Sequence, residues 1–140
     1  MQSVRSLHGI LTYLFGVLLV VQFFLAGLGA FTTVHNKKYS DNNFAAHGIL
    51  GTALVVLALV VMILALMGRW SAWATRASVV LFGLMVLQFV LGVAGAGSSP
   101  VLGGLHAVNA LLIAAVTAVL VRQAMGAFHG RRSTAATPAP

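Results

Sequence analysis

Two histidines in apolar surroundings are the residues of this sequence with the clearest capacity for chemistry. His47 lies in the run FAAHGILG, and His106 lies in the run LHAVNALLI. An ionisable side chain inside a membrane helix is costly to bury without a partner, so it marks a functional site by default. Neutral imidazole is also a common axial ligand of haem iron. The pair therefore predicts one haem b whose iron is held by His47 and His106.

Small and amide-bearing residues near the two histidines complete the candidate site. These cofactor-binding candidates are Gly51, Gly103, Gln22, Gln88 and Asn109. Gly51 lies one turn after His47, and Gly103 lies three residues before His106, so each glycine shares a helix face with its histidine and leaves room for a flat ring. The two glutamines are expected deeper in the membrane than the histidines. Each amide could line a cofactor or quinone pocket, or could make only an interhelical hydrogen bond.

Other uses of the histidines remain open. The pair could hydrogen-bond across a helix interface without a cofactor, or could bind a transition metal. Zinc is disfavoured because its sites take three or four ligands, and neither cysteine nor carboxylate lies near the pair. His8 and His129 could form a second site at the cytoplasmic face, and His35 is expected in solvent. No catalytic residues are predicted, because the chain lacks the residue sets of general acid–base or nucleophilic catalysis.

The composition identifies lipid as the natural solvent of the chain. Of its 140 residues, 60% are hydrophobic and 6% are charged, and the mean hydropathy is +1.02. A soluble domain has about 25% charged residues. The net charge of +7 does not indicate nucleic acid, because the basic residues fall at helix ends and in the tail. The expected partner is the bilayer, and the absence of cysteine excludes disulfides and thiolate sites.

Four apolar runs are long enough to cross a membrane. They cover residues 7–31, 44–67, 74–96 and 101–125, and a bilayer core needs roughly 20 apolar residues in a helix. Helix follows because it satisfies its own backbone in lipid. Asn42 and Asn43 are expected to cap the second helix, and Ser99 is expected to cap the fourth. One domain should span residues 1–129, followed by a disordered cytoplasmic tail at 130–140.

Short connections and charge predict the topology. The links at 68–73 and 97–100 make successive helices antiparallel neighbours, so the predicted fold is an all-α, up-down-up-down four-helix bundle. The positive-inside rule places both termini in the cytoplasm, because all six arginines fall on one side and Lys37 and Lys38 fall on the other. The expected location is a bacterial inner membrane, with Trp70 and Trp73 at the inner interface.

The chain reads as two copies of a helical hairpin. Leu-Phe-Gly followed by Gln-Phe occurs in the first helix, from Leu14 to Phe23, and again in the third, from Leu81 to Phe89. Each second helix has one histidine close to its start. A parallel repeat of this kind is related by a two-fold axis along the membrane normal. The axis would bring the two histidines to similar depth, facing each other across the bundle.

Four predicted helices, with His47 near the start of the second and His106 near the start of the fourth, resemble one four-helix half of the haem A synthase family. The runs VQFFLAGLG, FAAHGILG and LHAVNALLI are also similar to those of small four-helix actinobacterial membrane proteins with no assigned function. The resemblance covers about residues 7–125 and implies that His47 and His106 are haem ligands. Catalytic halves of that family have Glu-x-x-His-Arg, whereas this chain has Phe44 and Gly48 at the acid and arginine positions. The resemblance therefore implies a haem-holding bundle without the oxidative machinery.

The expected function is that of a small b-type membrane cytochrome for electron transfer or haem handling. Its expected partner is a quinone or a redox protein, and two copies could pair as a homodimer that mimics an eight-helix synthase. The alternative is a cofactor-free accessory subunit of a larger membrane complex. A transporter is disfavoured because no helix is visibly broken at the midplane and no acid is available for proton coupling.

Overall fold

The chain forms four long helices and one short turn of 3-10 helix. The computed structural model describes residues 2–68, 71–95 and 99–135, with residues 127–135 as backbone only. The elements are α1 (Gln2–Asn36), the 3-10 turn (Asp41–Phe44), α2 (Ala45–Met67), α3 (Ala72–Gly95) and α4 (Pro100–Ala135). All four helices are long and apolar enough to cross a membrane. The predicted all-α membrane bundle is therefore confirmed.

The helices form a closed ring around a narrow core. Each packs against its neighbour in sequence, and α1 closes the ring against α4. One layer of the core takes one residue from each helix: Phe15, Leu54, Leu81 and Ile113, all at most 1% exposed. Because lipid tails are as apolar as leucine, close van der Waals packing holds such helices together.

The two ends of the bundle differ in charge. Arg5 and Arg76 lie near the starts of α1 and α3, and Arg122 lies in the second half of α4, all toward the same side of the bundle, which we call the arginine end. The opposite side carries Lys37, Lys38 and the 3-10 turn, and we call it the loop end. Arg69 and Trp70 lie outside the described residues.

The first and last helices are longer than their apolar runs. α1 covers 2–36 where the hydropathy predicts 7–31, and α4 continues to Ala135. Residues 130–135, for which the sequence predicts a disordered tail, belong to α4 in the structure, and residues 136–140 lie outside the described residues. Alanine and arginine favour helix, and the first proline that would stop it is Pro138.

The predicted cap of α2 is wrong. Asn42 and Asn43 lie inside the 3-10 turn, and the residue before α2 is Phe44, which makes no side-chain cap. Asn43 is used elsewhere, because its Nδ2 donates to Thr33 Oγ1 at 3.0 Å and so ties the turn to α1. The side chain that suits a helix cap instead holds the connection between α1 and α2.

Serines precede α3 and α4 in capping positions. The predicted cap at Ser99 is confirmed, because the amide of Leu102 donates to Ser99 Oγ at 3.5 Å and α4 begins at Pro100. The amide of Ala74 donates to Ser71 Oγ at 3.3 Å at the start of α3. Both serines satisfy backbone donors that a helix start leaves without intrahelical partners.

The buried faces repeat along the chain. Each buried residue of one stripe on α1 has a buried counterpart on α3, and the number of residues between the two is the same as between Gln22 and Gln88. The pairs are His8/Ala74, Thr12/Ser78, Phe15/Leu81 and Leu19/Met85. The stripes of α2 and α4 correspond at the shift from His47 to His106: Leu54/Ile113, Ala58/Thr117, Val61/Leu120 and Ala65/Ala124. The Leu-Phe-Gly runs are one residue out of this register. The glutamines and histidines therefore mark the repeat.

α1 is followed by Lys37, whose backbone has a left-handed conformation. The amide of Lys38 donates to Thr33 O at 3.3 Å, and the amide of Lys37 donates to Val34 O at 3.2 Å. These two bonds are those of a Schellman motif, which requires a left-handed residue at the position of Lys37. Its φ is 51°, although glycine is the residue that adopts this conformation without cost.

Lys37→Gly is expected to stabilise the protein. Removing the Cβ from a residue in the left-handed conformation should relieve about 1 kcal/mol of backbone strain in the folded state. The net gain in the free energy of unfolding is smaller, because glycine also increases the conformational entropy of the unfolded chain. Thermal unfolding of the protein in detergent would measure the gain. Lys38→Gly is the matched control, because Lys38 loses the same charge at a position without positive φ. Equal melting temperatures for the two variants would contradict the assignment.

Gly29→Ala is expected to destabilise the loop end. A Cβ at Gly29 would lie 2.6 Å from the Phe44 ring and 2.7 Å from the Asn43 carbonyl oxygen. Because one of these neighbours is backbone, the turn would have to move, at a cost of about 1–3 kcal/mol. Gly27→Ala is the control, since its Cβ would meet nothing within 4 Å. A melting temperature for Gly29→Ala at or above that of Gly27→Ala would refute the close approach.

Candidate functional site

His47 and His106 meet across the centre of the bundle. They stand on α2 and α4, which lie on opposite sides of the helical ring, and both are half-buried. Their ring centroids are 6.2 Å apart, and the ring planes are inclined at 62°. The two imidazoles therefore face one small volume near the loop end.

Each imidazole is anchored on a main-chain carbonyl of the preceding helix. His47 Nδ1 lies 3.2 Å from the carbonyl oxygen of Gln22 on α1, and His106 Nδ1 lies 3.2 Å from that of Gln88 on α3. Because a carbonyl can only accept, Nδ1 carries the proton in both rings and Nε2 keeps its lone pair. Metal-binding histidines are oriented by this kind of bond.

The side chain of Gln22 makes a second contact with His47. Its Nε2 donates to the His47 carbonyl oxygen at 2.9 Å and lies 3.4 Å from His47 Nε2. A Cβ at Gly51 would lie 3.0 Å from the Gln22 Nε2 atom. The sequence predicts that Gly51 leaves room for a flat ring, but the Gln22 amide occupies this space in the structure. Gln22 lies level with the histidine, not deeper as predicted.

The amide of Gln88 is used differently. Asn109 Nδ2 donates to Gln88 Oε1 at 2.7 Å and to the Leu84 carbonyl oxygen at 2.9 Å. Within the part of the chain that the structure describes, no hydrogen bond joins the Gln88 side chain to the imidazole of His106. Asn109 is 4% exposed, and its Oδ1 has no partner among the described residues.

The glycines near His106 separate into two groups. A Cβ at Gly92 on α3 would lie 3.2 Å from His106 Cε1, so the bare helix surface seats the ring. Sequence reasoning does not single out Gly92, although it follows Gln88 by four residues and so shares its helix face. Gly103 is exposed, and a Cβ there would meet nothing within 4 Å. The structure therefore brings Gly92, and not Gly103, to the imidazole.

The side chains of the bundle are less buried at the level of the imidazoles than toward the arginine end. Among the described residues, burial stops on each helix where this level begins: after Leu19 on α1 until Gly29, before Leu54 on α2, after Met85 on α3, and before Asn109 on α4. Toward the arginine end, a buried residue recurs at every turn. The level of the histidines is thus a part of the bundle where the helices bury their side chains less than toward the arginine end.

Aromatic rings cover His47 on the loop side. The Phe44 ring stands edge-on to the His47 ring at 6.5 Å and stacks on Tyr39 at 6.1 Å. Tyr39 lies outside the membrane-spanning segments. Its slight burial, together with a hydrogen bond to and the charge of Asp41, raises the pKa of its phenol. The acid of the turn is therefore engaged with Tyr39 at the loop end.

His8 and His35 do not join this site. His8 is predicted at the inner surface, but it is only 2% exposed, and its Nε2 donates to Ser78 Oγ at 3.3 Å. Ser78 must accept, because its own hydroxyl donates to the Ala74 carbonyl oxygen. His35 lies exposed in the last turn of α1, and the side chain of His129 is outside the described residues.

A metal site with three or more protein ligands is not formed by the described residues. No group of three or more histidine, cysteine, aspartate or glutamate side chains converges among residues 2–68, 71–95 and 99–126. The His47–His106 pair can supply two ligands. Two opposed imidazoles suit a metal whose remaining ligands come from elsewhere, such as the four nitrogens of a macrocycle.

Comparison with known proteins places the chain in a family. A family model described as a family of unknown function, DUF6220, matches residues 22–96, which is more than half of the chain. The matched part includes Gln22, His47 and Gln88. No curated protein and no solved structure matches the chain. The chain therefore belongs to the DUF6220 family.

Proposed function

We propose that the chain is a small b-type membrane cytochrome in which His47 and His106 bind one haem iron through their Nε2 atoms. The observation that carries the proposal is the pair of Nδ1 bonds to the carbonyls of Gln22 and Gln88. They leave the lone pair of each imidazole on Nε2. This is the tautomer required for axial ligation through Nε2.

The spacing of the imidazoles supports the same proposal. Two metal–imidazole bonds of about 2 Å each, together with the distance from each nitrogen to its ring centre, add up to roughly 6 Å for rings pointing at each other. The observed distance between ring centroids is 6.2 Å. The low burial of side chains at this level is compatible with a bound macrocycle, and Gly92 leaves the imidazole of His106 its seat on α3.

The surroundings favour electron transfer over oxygen chemistry. A bound haem would supply a one-electron couple, and two protein ligands would leave no open axial position. The bond from Nδ1 to a carbonyl makes each imidazole a more basic ligand and fixes its orientation. The only acid of the chain is Asp41 in the turn, so the imidazoles have no carboxylate beside them to act in acid–base catalysis.

The site also suggests where its partner acts. The imidazoles lie near the loop end, so one haem there is not a complete path across the membrane. A quinone in the bilayer or a redox protein at the loop end would exchange the electron. The resemblance to one half of haem A synthase agrees with this proposal, as does a homodimer. With Phe44 at the acid position, the proposal assigns haem binding and not oxidation of the haem itself.

The arrangement of charges favours one orientation in a bacterial inner membrane. The arginine end belongs in the cytoplasm by the positive-inside rule, and the loop end then faces the opposite compartment. In this orientation both termini are cytoplasmic and the imidazoles lie in the outer leaflet. The proposed partner protein would therefore dock from the outside.

The visible spectrum tests the proposal directly. The detergent-purified protein, supplied with haem, should give a low-spin b-type spectrum in the reduced-minus-oxidised difference. His47→Ala and His106→Ala should each lose it, because either change removes an axial ligand. His35→Ala is the control and should keep it. A wild-type protein that remains colourless after haem addition would contradict the proposal, and an accessory membrane subunit would then be the better assignment.

Gly92→Ala should weaken haem binding. Its Cβ would lie 3.2 Å from His106 Cε1 and 3.4 Å from His106 Nδ1, so the ring would have to leave its seat on α3. We expect a loss in affinity of about tenfold, which corresponds to the lower end of the cost of overpacking. Gly83→Ala on the same helix is the control, because its Cβ would meet nothing within 4 Å. Equal haem titrations for the two variants would show that the seat has no role.

A further inference from the structure

Gln22 engages both nitrogens of His47. Its carbonyl oxygen accepts from Nδ1 at 3.2 Å, and its side-chain amide lies 3.4 Å from Nε2, where it can donate to the lone pair. The same amide donates to the His47 carbonyl oxygen at 2.9 Å, so both of its acceptors lie on one residue. These two acceptors determine the orientation of the amide.

Among the residues that the structure describes, His106 makes its hydrogen bond through Nδ1 and not through Nε2. Gln88 provides the carbonyl oxygen at 3.2 Å, but its side-chain oxygen accepts from Asn109 at 2.7 Å. The residue equivalent to Asn109 on α2 is Leu50, which follows His47 by the same three positions. Leucine offers no donor or acceptor, so in the first hairpin the glutamine amide turns to the histidine. One difference in side chain therefore makes the two imidazoles unequal.

We infer that Gln22 masks His47, so that His106 is the ligand available without rearrangement and His47 is the ligand that Gln22 must release. The consequence at a haem iron rests on the proposed function. The inequality of the two imidazoles does not, because it exists in the protein without haem. Gln22 is thus a positioning residue that controls one of two ligands related by the repeat.

The masked position is only weakly held. A hydrogen bond of ordinary net strength corresponds to roughly a two- to tenfold change in an equilibrium. Gln22 Oε1 is buried without a partner among the described residues, which works against this position of the amide. A stronger ligand of His47 Nε2 therefore displaces the Gln22 amide. Until the amide is displaced, its hydrogen bond lowers the reactivity of that nitrogen.

Carbethoxylation of the haem-free full-length protein with diethyl pyrocarbonate tests the inference. The reagent is attacked by the imidazole lone pair, so a nitrogen engaged by a donor reacts slowly. Rates at each histidine are measured by peptide mass spectrometry. Gln22→Met removes the amide but keeps the carbonyl that holds Nδ1, and should raise the rate at His47 two- to tenfold. Gln88→Met is the matched control and should leave the rate at His106 unchanged.

A second variant tests whether the Gln22 amide protects His47 without altering Gln22 itself. Leu50→Asn places an amide where Asn109 stands in the other hairpin, and it should draw Gln22 away from His47. The rate at His47 should rise, while the rate at the exposed His35 reports on the fold. Unchanged His47 rates in both variants, or equal rises at His47 and His106, would overturn the inference.

Haem titration separates this inference from the proposed function. If both stand, Gln22→Met binds haem up to about tenfold more tightly than the wild type, whereas Gln88→Met does not. If no variant binds haem, the proposed function is wrong, and the reagent rates still decide whether Gln22 masks His47. If haem binds equally to all variants and the rates do not differ, the mask is wrong and the cytochrome stands.

Discussion

The bond from each imidazole Nδ1 to a glutamine carbonyl of the preceding helix orders the loop end of this bundle. A carbonyl inside a helix already accepts from its own helix, but it has a second lone pair. Accepting from histidine therefore adds a link between helices without breaking backbone structure. At this level no apolar side chain is fully buried on α2, α3 or α4. Polar bonds thus join α1 to α2 and α3 to α4 where hydrophobic packing is weakest.

The repeat produces two similar half-sites, and a few side chains make them different. Leu50 stands where the second hairpin has Asn109, and Ala26 stands where it has Gly92. The first difference directs Gln22 to His47, and the second lets the ring of His106 rest against bare backbone. A symmetric scaffold therefore carries an asymmetric pair of imidazoles.

The core separates this site from a second polar region at the arginine end. The layer of Phe15 and its three apolar partners lies between them. Beyond that layer, Thr12 and Ser78 return their hydroxyls to their own helices, and Ser78 also accepts from His8. A hydroxyl that donates to a carbonyl of the preceding turn has its hydrogen-bonding requirement met within its own helix, even in lipid. The apolar layer therefore separates the histidine pair from the polar residues of the arginine end.

Much of the fold could be read from the sequence because lipid imposes simple requirements. A backbone in hydrocarbon must bond to itself, so four apolar runs had to become four helices. The histidines stood out because burying an ionisable group there is costly. Boundaries were less accurate, since hydropathy marks where the chain leaves lipid and not where a helix ends. Asn43 was misassigned because a side chain suited to capping can equally bond a distant threonine.

The sequence by itself determined the membrane bundle, the repeat and the two histidines, because these follow from hydropathy and residue type along one chain. Only the tertiary structure decided that His8 is buried, that Gly92 and not Gly103 seats an imidazole, and that Gln22 and Gln88 play different roles. Each of these depends on how far one helix rotates against another. A rotation that brings one residue of a helix into contact with the next helix moves its neighbour out of contact. The periodicity within a single helix does not specify which of the two residues makes the contact.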